Sequence, residues 1–221
     1  MAQMDEELLR RREIQEEFER ERFSEENIAE EKTQSIFDGT IMINMVPTAF
    51  SERTFLDDKV AIWMPEDFTE LSPQEIAMSY PLGNKPDKVY MNSYLDLATG
   101  YTYTRHEVPE EYMGDFPKVV RIALERMGPK VRILSEDMRS TEKHIISSIE
   151  MISHTITEAI YNLMYFASVD GRVLMGFINF NYQNMERYQS IAQEMLASFH
   201  FTDEKEQNCE PPSNRVVSET H

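Results

Sequence analysis

The dipeptide Asp170-Gly171 sits between two long runs rich in Val, Ile, Phe, Tyr and Met, 159–168 and 172–180. Asp-Gly between such runs signals a tight β-hairpin, because a type I′ turn needs positive φ at both central residues. With these two residues at the turn, opposed positions sum to 341. One face then carries Tyr161, Leu163, Tyr165 and Ala167 opposite Phe180, Ile178, Gly176 and Leu174. The other carries Asn162, Met164, Phe166 and Ser168 opposite Asn179, Phe177, Met175 and Val173. A half-solvated antiparallel sheet alternates apolar and polar. Here both faces are largely apolar, so both need a cover, from helices or from a ligand.

The rest of the chain supplies candidate covers. Ser72-Pro73 reads as the start of a short helix, with Ser as N-cap and Pro at the first helical position. A second helix opens at Phe116-Pro117 and stops at Gly128-Pro129, with Val119, Val120, Ile122, Ala123 and Met127 expected on its apolar side. A closing helix spans about 184–198. Its residues Tyr188, Ile191, Ala192, Met195, Leu196 and Phe199 follow helical spacing. Strands are expected at Thr40–Val46, ended by Pro47, and at 54–56 and 59–64 around an Asp57-Asp58 turn. Lys88–Tyr94 and Tyr101–His106 read as strands joined through Gly100, and 130–138 and 144–154 precede the hairpin. The order predicts an α+β domain: an antiparallel sheet of about six to seven strands with helices packed on its faces.

The ends differ in composition from this block. Residues 1–38 hold 13 acids and 6 bases, and 3–32 contain neither Gly nor Pro. Glu6–Arg10, Glu7–Arg11 and Glu16–Arg20 are i,i+4 pairs in the favourable order, so a charged helical arm is expected. The apolar positions make only a broken stripe, which argues against a coiled coil. Residues 39–201 form the expected domain, and 202–221, polar with Pro211-Pro212, the expected disordered acidic tail. The net charge of −18 disfavours nucleic acid and anionic lipid, whose binding depends on cationic contacts. No run approaches 18 apolar residues, and the N-terminus lacks an apolar signal region. With one cysteine, Cys209, the reading is a cytoplasmic protein without membrane insertion.

Several stretches carry a resemblance. Ile160-Tyr-Asn-Leu-Met-Tyr-Phe, Asp170-Gly-Arg, Gly176-Phe-Ile-Asn-Phe, Ile191-Ala and Ser198-Phe199 look like the C-terminal half of the PsbP-like fold. Val60-Ala-Ile-Trp-Met-Pro, Ser79-Tyr-Pro and Asn84-Lys-Pro resemble its N-terminal half. The chain is similar to small uncharacterised proteins of Gram-positive bacteria with a Tyr-Pro and Asn-Arg-Pro box, with Lys85 where Arg is usual. The resemblance spans about 50–201. It implies kinship in fold to photosystem II extrinsic proteins, a Ran-binding import factor, phage-adsorption lipoproteins and Eag-type secretion chaperones, and with that non-enzymatic protein binding. The charged arm is an addition to the pattern.

Motifs for chemistry are missing. His144 and His154 on one strand would stand about 30 Å apart at ~3.3 Å per residue, too far to share a metal. Neither H-E-x-x-H, C-x-x-C nor G-x-S-x-G occurs, so no catalytic residue, metal ligand or cofactor is assigned. Two binding candidates remain. Met164, Phe166, Met175 and Phe177, edged by Asn162 and Asn179, form an apolar patch suited to an apolar partner helix, provided the chain's own helix does not cover it. The box of Tyr80, Pro81, Asn84 and Pro86, with Tyr94 nearby, is a possible ligand site. The expected function is a protein-binding adaptor or chaperone, or a homo-oligomer built through the arm. The alternatives are a small-ligand-binding domain and, third, an enzyme.

Overall fold

The computed structural model describes residues 34–43, 45–80, 85–92, 96–127, 131–154 and 158–204. The expected arm lies outside them up to residue 33, as do Pro81, Asn84, Tyr94, Cys209 and the tail from residue 205. The fold is α+β, with two antiparallel sheets where the sequence suggested one.

The smaller sheet has the order β1-β2-β3-β11, with β1 at Thr40–Ile43, β2 at Val46–Phe55, β3 at Val60–Pro65 and β11 at His200–Phe201. Pro47 does not end the first strand; it lies inside β2, opposite Met42. It is tolerated there because β3 pairs only from Phe50 onward, so β2 has a neighbour on one side. Leu56, Asp57 and Asp58 turn the chain into β3, all at positive φ.

The larger sheet runs β4-β5-β6-β10-β9-β8-β7. Its members are β4 (Thr69–Glu70), β5 (Lys88–Met91), β6 (Leu97–Glu107), β7 (Val131–Ser140), β8 (Ile145–His154), β9 (Ala159–Val169) and β10 (Arg172–Asn181). Every β9–β10 pair, from Arg172 with Val169 to Asn181 with Ile160, has the register set by the Asp170-Gly171 turn. Asp170 and Gly171 take φ of 50° and 75°. Gly100 is not a joint between strands but an interior residue of β6. A Cβ there would stand 2.4 Å from the Lys88 carbonyl oxygen and 2.8 Å from the Phe177 ring.

Among the described residues three α-helices complete the domain. The first, α1 (Pro73–Ser79), is capped by Ser72, whose hydroxyl accepts from the Glu75 amide while Glu75 accepts from the Ser72 amide. Next come α2 (Phe116–Met127) and α3 (Met185–Ser198). From α3, Tyr188, Ile191, Ala192 and Met195 enter one core with Val60, Ile62 and Met64 of β3 and Tyr161, Leu163, Ile178 and Phe180 of the hairpin. The inner hairpin face is therefore fully covered. No helix among the described residues is long and apolar enough to cross a membrane.

The packed unit extends beyond residues 39–201 at both ends. Ile36 is fully buried in the main core, and Glu194 of α3 accepts from its backbone N–H at 2.8 Å. At the other end Thr202 donates to the Asp58 carbonyl at 2.5 Å, and Thr141 donates to Glu204 at 2.6 Å.

Candidate functional site

The outer face of the large sheet has two fates. At its turn end a second, smaller core of Met113, Ile149, Phe166 and Val173 forms under residues 108–127. Phe116 packs on Phe166 with ring centroids 5.0 Å apart. Polar side chains on this face anchor the cover: Ser147 donates to the Met113 carbonyl at 2.6 Å and Ser168 to the Val108 carbonyl at 3.2 Å. Glu110 accepts from the Ile145 amide. The side of α2 that packs agrees with the expected one only at Val120. Val119, Ile122 and Ala123 are exposed, while Phe116, Pro117 and Val120 turn inward. Arg121 pairs with Glu136 of β7 at 2.9 Å, which fixes that rotation.

Phe166 is thus a correction to the proposed patch: it is completely buried beneath the chain's own helix and is not available to a partner. The other five residues behave differently. Asn162, Met164, Met175, Phe177 and Asn179 are all half-buried and line one groove of about 730 Å³. Tyr80, Lys85 and Pro86 line the same groove. Tyr80 and Pro86 of the expected ligand box therefore line the same groove as five residues of the expected patch, while Pro81 and Asn84 lie outside the described residues.

Local chemistry builds the groove. Strand β10 runs between β6 and β9, so Phe177 stands opposite Gly100 on one side and Met164 on the other. The missing side chain at Gly100 lets the Phe177 ring lie across β6. Tyr80, directly after α1, closes over that ring at 6.1 Å between centroids. Burial pushes the Tyr80 phenol above its ordinary value, and a hydrogen bond from Asn179 opposes the shift. Asn162 donates to Ser153 Oγ at 2.9 Å and to the Ile160 carbonyl at 3.1 Å, so this rim residue is held rigidly.

The opposite wall is β6 from Thr102 to His106. Asp87 ties the wall down by accepting from the Tyr103 amide at 2.7 Å. Sequence reasoning missed the cationic character of this wall. Exposed Arg105 and His106 stand in it, and exposed Lys85 and Asp87 line the same groove. Arg105 and His106 were visible in the sequence, but that β6 lies beside β10 was not.

Among the described residues no group of His, Cys, Asp and Glu could hold a metal ion. His144 stacks on Phe201 at 3.5 Å between centroids, beside Glu110 and Asp203, and none of the four lines the groove.

No family model matches this chain, and no curated protein matches it. Its fold is shared with solved structures. The solution structure of cyanobacterial PsbP from Synechocystis matches with a TM-score of 0.50 at 13% identity, over 69% of this chain and 92% of that one. The domain therefore has a PsbP-like fold. A Pseudomonas aeruginosa protein of unknown function matches at a TM-score of 0.39 and 6% identity, over 66% of this chain and 93% of that one. That second likeness carries no argument.

Proposed function

We propose that this domain is a non-enzymatic protein-binding module, an adaptor or chaperone that holds a short apolar segment of another protein in the outer-face groove. The observation behind this reading is the convergence of Tyr80, Met164, Met175 and Phe177 on one groove that the described residues leave uncovered, beside a half that they cover. Fold alone does not decide function. Met and aromatic side chains suit a surface that accepts varied apolar partners. Lys85, Arg105 and His106 on the rim favour a partner whose apolar segment is flanked by carboxylates.

Fluorescence anisotropy tests this with two labelled helical peptides of Leu and Ala, one flanked by Glu and one by Lys. The Glu-flanked peptide is expected to bind more tightly, and Met175→Glu to remove binding. Equal binding of both peptides, unaffected by Met175→Glu, contradicts the proposal. The same walls suit a small apolar ligand, since Tyr80 and Pro86 line this groove. A metabolite that raises the melting temperature and displaces the peptide would replace the partner at the same site.

A further inference from the structure

On the inner face, away from the groove, β7 and β8 leave a cleft against α3 of about 310 Å³. At its base lies Glu150, only 6% exposed. A register shift in β7 between Ile133 and Ser135 places Ser135 opposite Glu150. This bulge re-aims the strand. The Ser135 hydroxyl donates to the carboxylate at 2.9 Å. From α3, Gln189 donates at 2.5 Å and Gln193 at 3.5 Å. Among the described residues no Lys, Arg or His lies within salt-bridge distance of this carboxylate. Burial first, and Glu150 after it, push the neighbouring Tyr161 phenol well up.

A buried carboxylate held only by neutral donors is costly compared with an apolar residue in the same place. Its position at the base of a cleft, rather than in sealed core, gives that cost a use. Among the described lining residues the one cation, Arg139, is committed elsewhere: it donates to the Ala197 carbonyl at 2.6 Å and to the Phe199 carbonyl, closing the end of α3. Asp137 stands exposed in the cleft lining, and Ile146, Leu163 and Leu196 form an apolar wall.

We infer that this cleft binds a small organic cation, a primary ammonium with a short apolar body. The ammonium meets Glu150 in place of Gln193, whose contact is the longest of the three, with Ser148 and Asp137 within the same lining. The apolar body rests on Ile146, Leu163 and Leu196.

Isothermal titration of the full chain with n-pentylamine and 2-phenylethylamine tests the inference, with 1-pentanol as the neutral control. Saturable binding of at least one amine is expected, with none of the alcohol, and at least tenfold weaker amine binding in Glu150→Gln. Where Glu150→Gln fails to fold by circular dichroism, Ala197→Trp serves instead. That residue is exposed in the cleft lining, so the variant is expected to fold and to lose the amine. No saturable binding of either amine overturns the inference. So does equal binding of alcohol and amine, or amine binding that survives both variants.

Discussion

Near the Asp170-Gly171 turn, the outer face of β9 and β10 lies beneath residues 108–127; farther from the turn the same two strands line an open groove. The residue types are nearly the same in both halves. Phe166 and Val173 lie in one and Phe177 in the other, with Met164 and Met175 at the boundary, packed against the covered core and lining the groove. What differs is the polar complement. In the covered half Ser147 and Ser168 point hydrogen-bond donors at the carbonyls of the covering segment. In the open half the polar residues are Asn162 and Asn179, bonded within the sheet or to Tyr80. An apolar face becomes core when neighbouring polar groups can satisfy the backbone laid over it. It stays a surface when they are engaged among themselves.

The largest effect should come from emptying the covered half. Phe166→Ala should cost about 3–5 kcal/mol, as for other fully buried aromatics, measured by urea unfolding. A loss below ~1 kcal/mol would mean the cover is loose and the two halves are not distinct. Next is Gly100→Ala, whose Cβ would press on the Lys88 carbonyl and the Phe177 ring. Overpacking of this kind costs about 1–3 kcal/mol. Because the ring must move, it should also weaken peptide binding, which a purely local strain would not.

Phe177→Ala sharpens the contrast from the open side. Half-buried, it should cost about 1–2 kcal/mol of stability, less than Phe166→Ala, yet abolish peptide binding in the anisotropy assay. A smaller effect concerns pH. The folded protein holds the Tyr80 proton above the usual tyrosine value of about 10. That contribution is full below pH ~10 and is lost as pH rises through the folded value. Urea midpoints should therefore fall above pH ~10, and Tyr80→Phe should flatten the fall. The smallest stability change belongs to Arg105→Glu, within ~0.5 kcal/mol for an exposed residue. Its expected signature is weaker binding of the Glu-flanked peptide and a shallower salt dependence.

Much of the hairpin was legible because its determinants are local. One dipeptide sets the register of all the β9–β10 pairs, and alternation then assigns each side chain to a face. The Ser72 cap and the α3 stripe are local in the same sense. The second sheet was not legible as a separate unit: β1, β2 and β3 pair locally, but β11 joins β3 across about 140 residues, as Ala61 with His200. The rotation of α2 was misread for a related reason. Its helical spacing allows two apolar sides, and the choice rests on Phe116 meeting Phe166 and on Arg121 meeting Glu136. Nothing in the alternation of β9 distinguishes Phe166 from Met164; only the docking of 108–127 does. The union of Tyr80 and Pro86 with the hairpin patch likewise depends on β6 lying beside β10, a pairing across about 75 residues.

The most direct test of the open-groove account maps peptide contacts by amide chemical shifts on the full chain, titrated with the Glu-flanked peptide. The account predicts shifts concentrated at residues 99–106, 162–164 and 175–179, with 108–127, 166–168 and 173 unchanged. Shifts centred on 108–127, or none at saturating peptide, would contradict it.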